Sequence, residues 1–117
     1  VTRPEAATAA GLQGTRELLR RGGERPQALL AAGDAIAIGV LRALQEDGVS
    51  VPGGMAVTGF DDLPLADALT PALTTIRQPV ADLARTAFAW VAGDGLASGR
   101  AAPQVLLPGE LIVRESA

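Results

Sequence analysis

Apolar positions along this chain recur in two rhythms that take turns: a three-to-four-residue spacing, and short unbroken runs. Over residues 3–21 the first rhythm predicts a helix, with Ala7, Ala10, Gly11, Gly14 and Leu18 forming a face small enough to approach a sheet closely. Pro4 and Glu5 suit its first turn, Thr2 or Arg3 its cap, and Arg20–Arg21 followed by Gly22–Gly23 its end. The run QALLAA (27–32), apolar on both faces and bounded by Pro26 and Gly33, predicts a buried parallel strand.

Asp34 then reads as the cap of a helix over 35–47. Ile36, Val40, Ala43 and Leu44 share one of its faces, Ile38 and Leu41 lie beside them, and Arg42, Gln45, Glu46 and Asp47 form its wet side. Gly48 ends this helix, MAVTGF (55–60) is a second buried strand, and TTIRQ (74–78) a third. A helix from Pro79 to Ala92 follows, striped by Val80, Leu83, Ala84, Ala87, Phe88 and Val91; a stripe of that kind calls for a partner. Residues 93–103 read as a loop, and QVLLPGELIVRES as two strands bent at Pro108–Gly109. Helix and strand in alternation predict an α/β fold, a parallel sheet flanked by helices.

Composition narrows the chemistry. The 117 residues suit one compact domain, and with 48% hydrophobic but only 3% aromatic residues the core is built from Ala, Leu, Val and Ile. There is no His, Cys or Tyr, which excludes thiolate catalysis, histidine acid–base chemistry, disulfides and His/Cys metal sites. A net charge of −3 with scattered basic residues gives no stripe for nucleic acid. No apolar run is long enough to span a membrane, and VTRPEAATAA is neither a signal nor a transit sequence; it begins abruptly, as a fragment would.

The stretch VTGFDDLPLADALTPALTTIRQP (57–79) holds the candidate chemistry. In an open parallel sheet, ligands sit outside the carboxyl ends of the strands, and three predicted strand exits carry Gly33–Asp34, Phe60–Asp61–Asp62 and Arg77–Gln78. On such a rim Asp61 would accept hydroxyl hydrogen bonds, and Gln78 would both donate and accept. Asp61–Asp62 reads equally as a turn or cap pair. The acids lack the spacing of a calcium loop, and adjacent carboxylates do not form a glycosidase pair. The loop 63–73, with Leu63, Leu65, Leu69 and Leu73, either folds over the core or docks on a second subunit.

Taken together, the run AGDAIAIGVLRALQEDGVSVPGGMAVTGFDDLPLADALTPALTTIRQPVADLARTAF and the closing LIVRES resemble the C-terminal part of the lactose-repressor/galactose-repressor family of bacterial transcriptional regulators. The family run is A-N-D-x-x-A-x-G-x-x-x-A, G-x-x-V-P, V-x-G-F-D-D, P-x-L-T-T-x-x-Q, a G-x-x-A helix and L-x-x-R-x-S, and the resemblance covers nearly the whole chain. It implies a helix-turn-helix headpiece, a hinge, and a core of two α/β lobes like type I periplasmic sugar-binding proteins. Residues 1–78 would be part of the C-terminal lobe, 79–109 a crossover whose helix and strand belong to the N-terminal lobe, and 110–117 a return strand. Asp61 and Gln78 fall on effector-binding positions, and Gly33 on the family's effector-contacting Asn, whose amide is missing here.

Ile36, Val40, Leu44, Leu63, Leu65 and Leu69 fall on segments that pair two C-terminal lobes. The implied protein is a cytoplasmic repressor-type regulator, not an enzyme, without cofactor or metal. Its implied partners are a sugar-like effector, a second copy of itself, and operator DNA through the headpiece alone. A small molecule bridging the lobes would shift them between two states through its differential affinity. The alternative is a lobe of a periplasmic solute-binding protein of an uptake system.

Overall fold

The computed structural model describes residues 3–93 and 104–117. They form two compact units: one runs to Arg77 and is completed by Leu111–Ala117, and the other is Gln78–Glu110. The first contains α1 (Pro4–Arg20), β1 (Ala28–Leu30), α2 (Asp34–Glu46), β2 (Ala56–Thr58) and β3 (Thr75–Arg77). The second contains α3 (Val80–Ala92), and β4 (Glu110–Ile112) returns the chain to pair with β3.

β1 and β2 are parallel, with Ala28 opposite Ala56 and Leu30 opposite Thr58. Single parallel bridges, Thr58 to Thr74 and Asp61 to Arg77, carry β2 across to β3. The C-terminal tail joins the same ladder, because Val57 N–H donates to the Ser116 carbonyl at 2.8 Å. Alternation along the strands sorts the two faces of the sheet. Leu29, Ala31 and Val57 turn to the core, while Leu30 (82% exposed) and Phe60 turn away from it. Helices beside a parallel sheet make the α/β fold that the sequence predicts.

The core joins Ala37, Val40 and Leu44 of α2 to Met55, Val57, Ala66 and Leu73. Leu44, Met55, Val57 and Leu73 are each 0% exposed, so burial of each stabilises by about 1.5–3 kcal/mol. Leu73 and Ala66 belong to the apolar loop, which therefore folds over the core with part of its length. Val40 and Leu44, both expected at a subunit interface, have their side chains buried inside their own unit. Ile36, also expected at an interface, packs against the core from its edge, with its Cγ2 and carbonyl facing Gly11 of α1.

That contact corrects a second expectation. Of the small face expected on α1, Gly11 meets α2, whereas Ala10 and Gly14 are exposed. A Cβ at Gly11 would overlap the Ile36 carbonyl, one at Gly39 would lie 2.6 Å from Leu12 N, and the Thr8 hydroxyl donates to the Ala35 carbonyl at 2.9 Å. α2 ends in a Schellman motif: Val49 N–H donates to the Leu44 carbonyl (2.9 Å) and Gly48 N–H to that of Gln45 (3.2 Å), with Gly48 at φ +70°. At the start of α1, Arg3 is the N-cap but makes no side-chain cap bond.

α3 has no buried residue; Val80, Leu83, Phe88 and Val91 are all exposed on it. Residues 94–103 of the expected loop lie outside the described residues. Of the two strands expected in QVLLPGELIVRES, one forms, β4; residues 104–109 take no regular structure. Pro108 removes a donor and Gly109 weakens a strand, which cuts the ladder there.

Candidate functional site

The carboxyl ends of β1, β2 and β3 converge through backbone bonds. Asp34 N–H donates to the Phe60 carbonyl at 2.8 Å, and Asp61 N–H to the Ile76 carbonyl at 2.9 Å. The first bond draws the start of α2 against the exit of β2, and the second draws that exit against β3. Gly33 and Asp61 are thereby neighbours: a Cβ on Gly33 would stand 3.3 Å from the Asp61 Oδ2. Gly33 itself is extended (φ −172°), a conformation open to any residue, so the glycine there leaves space beside the carboxylate and meets no backbone demand. Gln78, the third expected ligand residue, opens the second unit directly after β3, half-buried.

Asp61 and Asp62 are the two non-glycine residues with positive φ among the described residues, at +120° and +55°. Such conformations cost about 1–3 kcal/mol each and persist only when surrounding contacts over-determine them. Those contacts are present. The Asp62 carboxylate accepts from Arg114 Nη2 and from Arg77 Nε, both at 2.7 Å. The Arg114 hydrogen bond first, and that of Arg77 in addition, hold the Asp62 carboxyl below the usual carboxylate range, against a burial that pushes it up. Asp62 therefore fixes the turn.

Asp34, expected as a helix cap, does something else. Gly33 is the N-cap residue of α2 and Asp34 its first helical residue, with no side-chain cap bond at that end. Its carboxylate, 1% exposed, accepts from Leu63 N–H at 2.7 Å and from the Thr75 hydroxyl at 2.6 Å. It ties the start of α2 to the loop after Asp62 and to β3. Arg114, Ser116 and Thr75 were given no role in the sequence; the closing R-x-S and the L-T-T run were their local signals, and these say nothing about partners 40 or more residues away. Among the described residues no acidic cluster could hold a metal ion, and no helix is long and apolar enough to cross a membrane.

On the outer side of α2, Ile38, Leu41, Val49, Val51, Leu69 and Pro71 line an open groove of about 380 Å³. Of the residues expected at an interface, Leu63 and Leu65 are exposed and Leu69 is half-buried in this groove.

This fold and strand-exit rim define a periplasmic binding protein-like domain, and the profile of that domain family matches residues 1–117. The chain is 43% identical over 93 residues to the lactose operon repressor of Rhizobium radiobacter, covering 80% of this chain and 81% of that one. It superposes on the lac repressor dimer bound to operator and the anti-inducer ONPF with a TM-score of 0.83 and 32% identity, over 95% of this chain and 38% of that one. A sugar-binding transcriptional regulator of the LacI family from Escherichia coli, complexed with phosphate, gives a TM-score of 0.79 and 36% identity, over 94% of this chain and 39% of that one. The chain thus belongs to the lactose-repressor (LacI) family of transcriptional regulators, whose members are repressors, not enzymes. It spans 38–39% of those two solved chains.

Proposed function

We propose that this chain is the effector-sensing and dimerising portion of a bacterial repressor-type regulator that binds a sugar-like small molecule in the cytoplasm. The observation that carries the reading is the Asp61 carboxylate, held at a strand exit in a left-handed turn beside the side-chain-free Gly33. A carboxylate at such an exit is an acceptor for ligand hydroxyls. In this reading residues 1–78 belong to the C-terminal lobe, 79–109 cross into the N-terminal lobe, and 110–117 return. Operator DNA would be read by a headpiece, since this chain carries no basic stripe.

Asp61→Asn is the direct test, made in the intact protein by operator gel shift against a panel of mono- and disaccharides. Two hydrogen bonds to a charged acceptor are worth about 1.5–3 kcal/mol each, so weakening them raises the sugar concentration needed for response by about 100-fold. Operator affinity without sugar stays as it was. An undiminished sugar response in the variant would remove Asp61 from the site.

Dimerisation would use the groove beside α2, whose apolar wall is interrupted by Arg42, Gln45 and Thr70, together with the exposed Leu63 and Leu65, as the surface for a second copy of this chain. Light scattering of a Leu65→Glu variant is expected to give half the particle mass of the parent at equal concentration. A parent that is already monomeric would end this part of the reading.

A further inference from the structure

We propose that Arg114 is the positioning residue of the candidate ligand carboxylate: by clamping Asp62 against the carbonyl of Leu73, it holds the left-handed turn that keeps Asp61 beside Gly33. This rests on Asp61 being the ligand acceptor. Two arginines reach Asp62, but they are not equivalent. The Arg77 side chain is 52% exposed and that of Arg114 17%, against 8% for Asp62. An ion pair with one partner in water contributes little, whereas a desolvated, forked contact fixes geometry.

The Arg114 fork is itself held. Nη1 donates to the Leu73 carbonyl at 2.8 Å while Nη2 donates to Asp62 Oδ1 at 2.7 Å, and the Arg114 N–H donates to the Thr74 hydroxyl at 2.9 Å. One guanidinium therefore staples both ends of the loop 63–73, with the strained pair Asp61–Asp62 at its first end. Ser116, two residues on, is tied as firmly but elsewhere. Its hydroxyl accepts from Thr74 N–H at 2.9 Å and donates to the Val57 carbonyl at 2.6 Å, without touching the turn. The two tail residues separate a positioning role from mere attachment of the tail.

Hydrogen–deuterium exchange in the intact, sugar-free protein tests this. In Arg114→Ala the amides of residues 60–63 are expected to exchange at least about 10-fold faster, because the turn relaxes locally. In Ser116→Ala the same amides stay within about 2-fold of the parent while those near Val57 and Thr74 speed up. Arg114→Lys, which keeps a charge on Asp62 but loses the fork, falls between. If Arg114→Ala does not fold, Arg114→Gln takes its place, with exchange at 60–63 faster than in Arg114→Lys.

Equal acceleration of residues 60–63 in the arginine and serine variants, or none in Arg114→Gln and Arg114→Lys, overturns the proposal. No sugar enters this measurement, so its failure is separate from that of Asp61→Asn in the operator assay.

Discussion

Gly39→Ala is expected to destabilise the chain by about 3 kcal/mol, although alanine is the better helix former by about 1 kcal/mol in a helix interior. The sign is decided at the crossing of α1 and α2. A Cβ on Gly39 would overlap the Thr8 carbonyl and stand 2.6 Å from Leu12 N, and both are backbone atoms of α1 that cannot rotate away. The helices must part. Parting them loosens the reciprocal contact of Gly11 with Ile36 and stretches the hydrogen bond from the Thr8 hydroxyl to the Ala35 carbonyl, worth about 1 kcal/mol. Overpacking of this kind costs about 1–3 kcal/mol and exceeds the propensity gain. Gly14→Ala is the control: nothing lies within 4 Å of a Cβ there, so the same substitution should stabilise by up to about 1 kcal/mol. Urea unfolding of both variants measures the difference. Gly39→Ala more stable than the parent would mean that the helices do not pack this closely in solution.

The same crossing illustrates what the sequence discloses and what it does not. Pro4 at the start of α1, the glycines after Arg21 and Gly48 after α2 act on their immediate neighbours, so the helices are legible to within a residue or two. The parallel strands are legible because short apolar runs between glycines and prolines have few other uses. Periodicity reports that a face is apolar without saying what it meets. Ile36, Val40 and Leu44 share a stripe that the family resemblance places at a subunit interface; in this chain the stripe packs into the core and against α1, while Ile38 and the half-buried Leu41 line the outer groove. The small face predicted on α1 shows the same limit: Gly11 of it meets α2, while Gly14 meets nothing within 4 Å.

At the candidate site, Asp61 and Gly33 were nameable from their positions at strand exits, and the backbone bonds across those exits make them neighbours. The groups that hold the turn were not nameable. Arg114 lies 52 residues from Asp62, and Thr75 lies 41 from Asp34. No local spacing encodes such pairs, and a carboxylate before a helix has the same local pattern whether it caps or, like Asp34, turns inward.

Asp34→Ala should be the most damaging single substitution at the rim, costing about 4 kcal/mol. Hydrogen bonds to a charged acceptor contribute about 1.5–3 kcal/mol each, and this carboxylate accepts two. Its removal strands the Thr75 hydroxyl, on a residue that is 0% exposed, and leaves a void where the carboxylate now packs closely against Gly59. Leu63 N–H is half-buried and can recover water, which limits the total. Asp34→Asn keeps the volume and one acceptor but turns an amide N–H toward a donor, so it should lose about half as much.

A double-mutant cycle with Thr75→Val isolates the pair. Thr75→Val alone leaves one carboxylate oxygen short of a donor and costs about 1–2 kcal/mol, while in the Asp34→Ala background it should cost almost nothing, because the stranded hydroxyl goes with it. Additive losses would mean that the two groups do not share a hydrogen bond. The consequence reaches the ligand rim. Asp34 holds Leu63 N–H directly behind the Asp61–Asp62 turn, so variants at Asp34 should weaken sugar response and stability together, whereas Asp61→Asn weakens the response alone. In the proposed reading Asp34 belongs to the frame of the site and Asp61 to its working surface, two adjacent strand exits put to different use.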